Sequence, residues 1–166
     1  MVAVLALGGT ADAAAPAGFS LSPRLAPAAS FVAGKPVKVW CASSQYNWEQ
    51  FLAATGRAGI EANGSAIPGS SEIKLSPTVC QNLRLQLAGK PVRYIALGPS
   101  ILGLVHEAIH DRGESNEGVT DCAAVHEMPR VAVRFFHVKA GKRLRAVMAA
   151  TWTYRGTEPA VYRSVC

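Results

Sequence analysis

The chain has 166 residues, of which 49% are hydrophobic and 17% charged, with a net charge of +6. This length and balance fit one globular domain with room for a core and exclude an intrinsically disordered chain. No apolar run reaches the roughly 18 residues of a membrane-crossing helix, so no transmembrane span is expected.

Met1–Gly18 is Ala-rich, starts with the apolar run Val2–Leu7 and ends in small residues around Ala13–Ala17. That is the layout of the apolar core and cleavage region of a secretory signal, without its positively charged start. Residues 1–30 are therefore expected to be a signal-like or disordered leader, and residues 31–166 a single domain that is secreted or held at the cell surface. Val37-Lys38-Val39-Trp40-Cys41 alternates and is rich in β-formers, which predicts a strand. Residues 45–57, with Trp48, Phe51 and Leu52, suit a short helix. Asn63-Gly64 is a hairpin-type turn and Pro68-Gly69-Ser70-Ser71 a loop, before a second short strand, Glu72-Ile73-Lys74-Leu75. Ser76-Pro77 is a cap followed by a first-turn proline, and Val79, Leu83 and Leu87 share one face of the helix it opens, with a stop near Gly89. From Ser100 a further helix is expected, with Pro99 in its first turn and Gly113 at its end. Another runs from about Asn116 to about Glu127, where Pro129 kinks it or begins a new segment through Phe136. A last helix, roughly Gly141–Tyr154, carries Leu144, Met148 and Trp152 at a spacing of four. Short N-terminal strands followed by helices predict an α+β domain.

His106-Glu107-Ala108-Ile109-His110 is an H-E-x-x-H motif inside the predicted helix. Residues i and i+4 share a helix face, so both imidazoles can reach one ion. Glu107 is turned about 100° around the axis, beside the ion rather than on it, where it can take a proton from water. A catalytic zinc wants three protein ligands and an open position, so a third is missing. Gly113 permits a reversal after the metal helix. Glu117, near the start of the next helix, can then point back, and Asp121 four residues on shares its face and could accept the second N–H of a ligating histidine. Glu114 is the alternative third ligand.

H-E-x-x-H followed by E-x-x-x-D on a later helix resembles the gluzincin metallopeptidases. The resemblance implies a small zincin-like fold, a Zn2+ cofactor, His106, His110 and Glu117 as ligands, Asp121 behind them and Glu107 as the general base of peptide-bond hydrolysis. Six residues separate His110 from Glu117, fewer than in large gluzincins. The run also begins like the metzincin pattern H-E-x-x-H-x-x-G-x-x-H, with Asn116 where that family has its third ligand. His106–Cys122 is similar, too, to a set of small exported bacterial proteins with an H-E-x-x-H, a glycine three residues on, a nearby glutamate and a cysteine. A zincin holds an extended peptide or protein substrate against an edge strand, for which Glu72, Ile73, Lys74 and Leu75 are the candidates. Tyr154, Arg130 and Arg134 are candidate oxyanion donors without a motif behind them. His126 lies nine residues from Glu117, on the opposite helix face, and is expected to be structural or exposed, as is His137.

The four cysteines, Cys41, Cys80, Cys122 and Cys166, contain no CxxC pair, which argues for disulfides rather than a cysteine metal knuckle. Of the three connectivities, Cys41–Cys80 and Cys122–Cys166 are expected. The first would clip the first strand to the first helix; the second would tie the C-terminus to the helix that carries Glu117. Residues 121–166 are basic, with Lys139, Lys142, Arg143 and Arg145 close together, which suits an anionic cell-surface polymer. No aromatic-interleaved nucleic-acid motif accompanies them, so nucleic acid is not an expected partner. Two other functions stay open: a zinc-binding but non-catalytic exported domain, and a basic surface-binding protein.

Overall fold

The computed structural model describes residues 15–58, 62–162 and 166. The apolar start expected as a signal, Met1–Ala14, lies outside the described residues. The order is β1 (Phe19–Leu21), α1 (Ala26–Ala33), β2 (Lys38–Ala42), α2 (Gln45–Ala54), β3 (Gly64–Ala66), β4 (Glu72–Leu75), α3 (Pro77–Leu87), α4 (Tyr94–Asp111), α5 (Glu117–Arg134) and α6 (Lys142–Arg155), with a short 3-10 turn at Ala160–Tyr162. The fold is α+β, with strands early and helices late, as the sequence predicts.

The expected leader boundary at residue 30 does not hold for its described part. Phe19–Leu21 pairs antiparallel with β2, and Leu25, Ala28, Ala29 and Val32 are buried in the main core. Alanine gives α1 a thin face that packs closely, so the composition of a leader and of a core helix coincide here.

The sheet runs β1-β2-β4-β3, with β2 and β4 parallel and the two outer pairs antiparallel. Strand β4 is therefore interior, paired on both sides, and the expectation that Glu72, Ile73, Lys74 and Leu75 form an edge is corrected: the edges are β1 and β3, and β3 is the one nearer α4. The turn joining β3 to β4 is at Pro68-Gly69, where Gly69 has φ +78°, rather than at Asn63-Gly64, which leads into β3.

Helices α3 and α5 begin where their caps predict. The Ser76 hydroxyl accepts from the Val79 N–H at 3.3 Å, and the Asn116 side chain accepts from the Val119 N–H at 3.0 Å. Helix α4 begins six residues before the expected start and runs through Pro99. Proline deprives the Ile95 carbonyl of its helical donor, and Ile95 is well exposed, so water can replace it. Helix α5 likewise continues through Pro129 to Arg134. Helix α4 is the centre of the molecule, burying Leu97, Ile101, Leu104, Val105 and Ala108 completely.

Helix α6 packs on α4 through Gly98. A Cβ there would lie 2.8 Å from the Val147 carbonyl oxygen and 2.7 Å from the Thr151 hydroxyl. That contact selects Val147, Thr151 and Arg155 as the buried face, while Trp152, on the expected Leu144–Met148–Trp152 stripe, stays exposed. Arg143 shares a surface cleft with the start of α4, and Tyr154 shares one with His106. Helices α4 and α6 thus run parallel, with α5 antiparallel between them in the chain. The bundle consequently has two chemically distinct ends. Both expected disulfides are present, Cys41–Cys80 with Cα atoms 5.9 Å apart and Cys122–Cys166 with 5.3 Å.

Candidate metal centre

The last turns of α4 and the first turn of α5 meet across the tight reversal at Gly113, whose φ of +114° favours glycine. The reversal brings Glu117 back over the H-E-x-x-H face. Its Oε2 lies 3.0 Å from His106 Nε2 and 3.3 Å from His110 Nε2, and the two Nε2 atoms are 3.0 Å apart. These three side chains form a group that could hold a metal ion. His110 Nδ1 donates to the Glu114 carbonyl at 2.7 Å. A carbonyl can only accept, so Nδ1 carries a proton; with no ion bound, Nε2–H donates to Glu117, and loss of that proton would turn the Nε2 lone pair toward a metal.

The electrostatics agree with the geometry. The two imidazoles hydrogen-bond the Glu117 carboxylate and hold its pKa far below the usual range. Burial works to lower the His110 pKa, but its bonds to Glu117 and the Glu114 carbonyl outweigh that and raise it. Glu107 is buried beside them, and burial pushes its carboxyl up against the opposing pull of His106 and His110.

Asp121 is not hydrogen-bonded to a histidine in the expected way. Its Oδ1 stands 3.9 Å from His106 Nδ1, longer than a hydrogen bond, and its Oδ2 accepts from the buried Arg155 Nε. Asp121 therefore acts on His106 through the electric field, while Arg155 holds the carboxylate. Glu114, the alternative ligand, turns its carboxylate to the Asn116 N–H at 2.8 Å, and Asn116 is occupied as the α5 cap. His126 and His137 are exposed and outside the group, and Glu127 pairs with Arg130 at 2.6 Å.

The ligand group opens on a cleft of about 540 Å³. One wall is β3: a Cβ at Gly64 would sit 2.8 Å from Glu107 Oε1, so glycine lets the edge strand lie directly on the Glu107 side chain. The opposite wall is the C-terminal end of α6 with Tyr154, Thr157 and Glu158. The Tyr154 hydroxyl accepts from Asn63 Nδ2 at 2.7 Å, which ties the two walls together. Burial, and then the charge of Asp121, raises the Glu158 carboxyl to about 7, against the opposing pull of its hydrogen bond from Tyr154. Of the three expected oxyanion donors only Tyr154 lines the cleft. Arg130 and Arg134 lie over the Phe31 ring instead, at 4.8 Å and 4.5 Å from its centre.

Arg57 and Glu158 also line the cleft without having been singled out in the sequence, and Asn63, read there only as part of a turn, lines it too. No local spacing links them to the H-E-x-x-H motif; only the chain's tertiary path does. Comparisons with protein-family models, with curated proteins and with solved structures return no match for this chain.

Proposed function

We propose that the protein is an exported zinc metallopeptidase of the gluzincin kind, in which His106, His110 and Glu117 hold the metal and Glu107 is the general base. The observation that carries this reading is the convergence of three ligand atoms at 3.0–3.3 Å beside a buried glutamate in a cleft. Bonds of about 2.0–2.1 Å in a tetrahedron have edges of about 3.3 Å, so the spacing suits Zn2+. The donor set, two neutral imidazoles and one carboxylate, suits zinc rather than calcium or magnesium, which prefer all-oxygen shells. Zinc held there supplies a Lewis acid that polarises a carbonyl and activates water.

The remaining steps belong to the chain. Glu107, with its pKa raised by burial, takes the proton of the attacking water on its carboxylate and returns it to the leaving amine. The free edge of β3 offers backbone groups for an extended peptide by strand addition, alongside Glu107. The Tyr154 hydroxyl accepts from Asn63 and donates to Glu158, and it is the oxyanion donor when its proton turns from Glu158 to the substrate oxygen. The open cleft favours catalysis over a purely structural zinc, whose four positions would be filled by protein. Two disulfides support export, since such bonds persist in oxidising compartments.

Elemental analysis of the purified protein tests the metal. The native chain and Glu127→Ala should each hold about one zinc, and Glu117→Ala should hold none. Glu107→Gln should keep its zinc and lose about 10²–10⁴-fold of its activity on a peptide library. A native protein that takes up no zinc even when refolded with it removes the reading.

A further inference from the structure

The end of the bundle farthest from the metal ligands carries a different chemistry. Helix α4 starts at Tyr94, twelve residues before His106, which is about 18 Å of helix. Around that start, Pro91–Ile95 and Arg143 enclose an open surface cleft. Tyr94 and Ile95 stand 41% and 62% exposed on its rim, two large apolar side chains side by side in water. Lys90, Arg93, Lys139, Lys142 and Arg145 are exposed on the segments that meet there: the end of α3, the start of α4, the α5–α6 loop and the start of α6.

Nothing in the surrounding sequence neutralises these charges. No acid lies between Glu72 and Glu107, or between Glu127 and Glu158. The acids gather at the other end, where Glu107, Asp111, Glu114, Glu117, Asp121 and Glu158 make up six of the chain's 11. The bundle is therefore polarised along its axis, acidic at the metal cleft and basic at the start of α4. The positive N-terminal ends of α4 and α6, neither of which has a side-chain cap, point the same way as the cations.

We propose that this basic end docks the protein on a bilayer bearing anionic phospholipid, with Tyr94 and Ile95 entering the interface and the metal cleft facing away. Cations alone would suit any polyanion. The two exposed apolar side chains beside Arg93 and Arg143 are what distinguish a lipid surface, because they gain only where there is hydrocarbon to enter. The charge polarity then sets the orientation, attracting one end and repelling the other. This assignment is independent of whether the cleft is catalytic.

Co-sedimentation of the full chain with vesicles tests it. Binding is expected to mixed phosphatidylglycerol–phosphatidylcholine vesicles, and none to phosphatidylcholine alone. It should be lost in roughly 1 M salt, where the Debye length is about 3 Å. The double variant Arg93→Glu/Lys142→Glu should bind about a hundredfold more weakly. Ile95→Ser should bind about tenfold more weakly. Both variants change exposed positions, and an unaltered thermal midpoint shows that they are folded. No binding to the anionic vesicles overturns the proposal, as does binding that the double reversal leaves unchanged. Equal binding to soluble polyphosphate, with Ile95→Ser without effect, overturns the lipid assignment in favour of a plain polyanion surface.

Discussion

Gly64 and Glu107 touch closely enough that a single methyl group decides whether both fit. The Cβ of an alanine at 64 would overlap the Glu107 side chain, with Oε1 2.8 Å away. The glycine does not have a left-handed backbone, so substitution reads the contact and not the conformation. Gly64→Ala should therefore destabilise the protein by about 1–3 kcal/mol in urea unfolding. In a Glu107→Ala background the same change should cost less than about 0.5 kcal/mol, because the colliding atoms are gone. Equal costs in the two backgrounds would place Glu107 elsewhere. Glu158 makes a second residue-scale prediction, for the metal-free chain. Its carboxyl is raised from 4.5 to about 7, first by burial and then by Asp121. A raised carboxyl contributes stability in its protonated form, fully present below about pH 4.5 and lost as pH climbs through about 7. Wild type should thus lose up to about 2 kcal/mol relative to Glu158→Gln between pH 5 and pH 8, after allowance for solvent screening of a partly buried group. Parallel stability curves for the two proteins would mean that the group titrates normally.

At the scale of elements, what the sequence discloses is what a helix or strand decides by itself. Two histidines one turn apart face one way because a helix makes them do so, and a glycine followed by a capping asparagine turns the next helix back on the first. That is why His106, His110 and Glu117 were legible together. Edge or interior, by contrast, is not a property of a strand. Glu72–Leu75 alternates equally well in either position, and only its parallel pairing with β2 makes it interior. On α6, likewise, Leu144 and Met148 pack partly on the core while Trp152 stays exposed, because Gly98 on another helix draws Val147 and Thr151 inward. The Cys122–Cys166 clip belongs to this scale too. It closes a 44-residue span and ties the chain end to α5, and Arg155 reaches Cys166 Sγ at 3.6 Å. The segment it restrains includes Thr157, Glu158 and Pro159 of the cleft wall. Replacing both cysteines by serine should cost about 2–4 kcal/mol in urea unfolding and make the segment after Arg155 the first site of limited proteolysis. An unchanged midpoint would show that α6 holds that wall without the clip.

For the whole molecule, the group of His106, His110 and Glu117 is the fastening at one end of the bundle of α4, α5 and α6, whose other end is held by apolar packing and by Gln86, which donates to the Phe136 carbonyl and accepts from Arg143. The end of α4 and the start of α5 are joined there by a glycine reversal and by Glu117 lying against two imidazoles. An ion bound only by the folded state stabilises it by about 2.7 kcal/mol when present at a hundredfold over its Kd. For a domain of this size, removing it should lower the thermal midpoint by roughly 10 °C. Zinc should restore the midpoint, and Glu117→Ala should show no response to either treatment. Amide exchange should quicken over residues 106–121 on chelation while β2, β4 and α3, locked by Cys41–Cys80, keep their protection. The increment must also depend on pH, because a metal competes with protons for its ligands. Free histidine titrates at about 6.5, and His110 titrates higher because Glu117 and the Glu114 carbonyl outweigh its burial. The gain from metal should therefore be full at alkaline pH and shrink as pH falls through neutrality, beginning above the range of an ordinary histidine. A midpoint indifferent to chelator at every pH would mean that the three side chains hold each other rather than an ion.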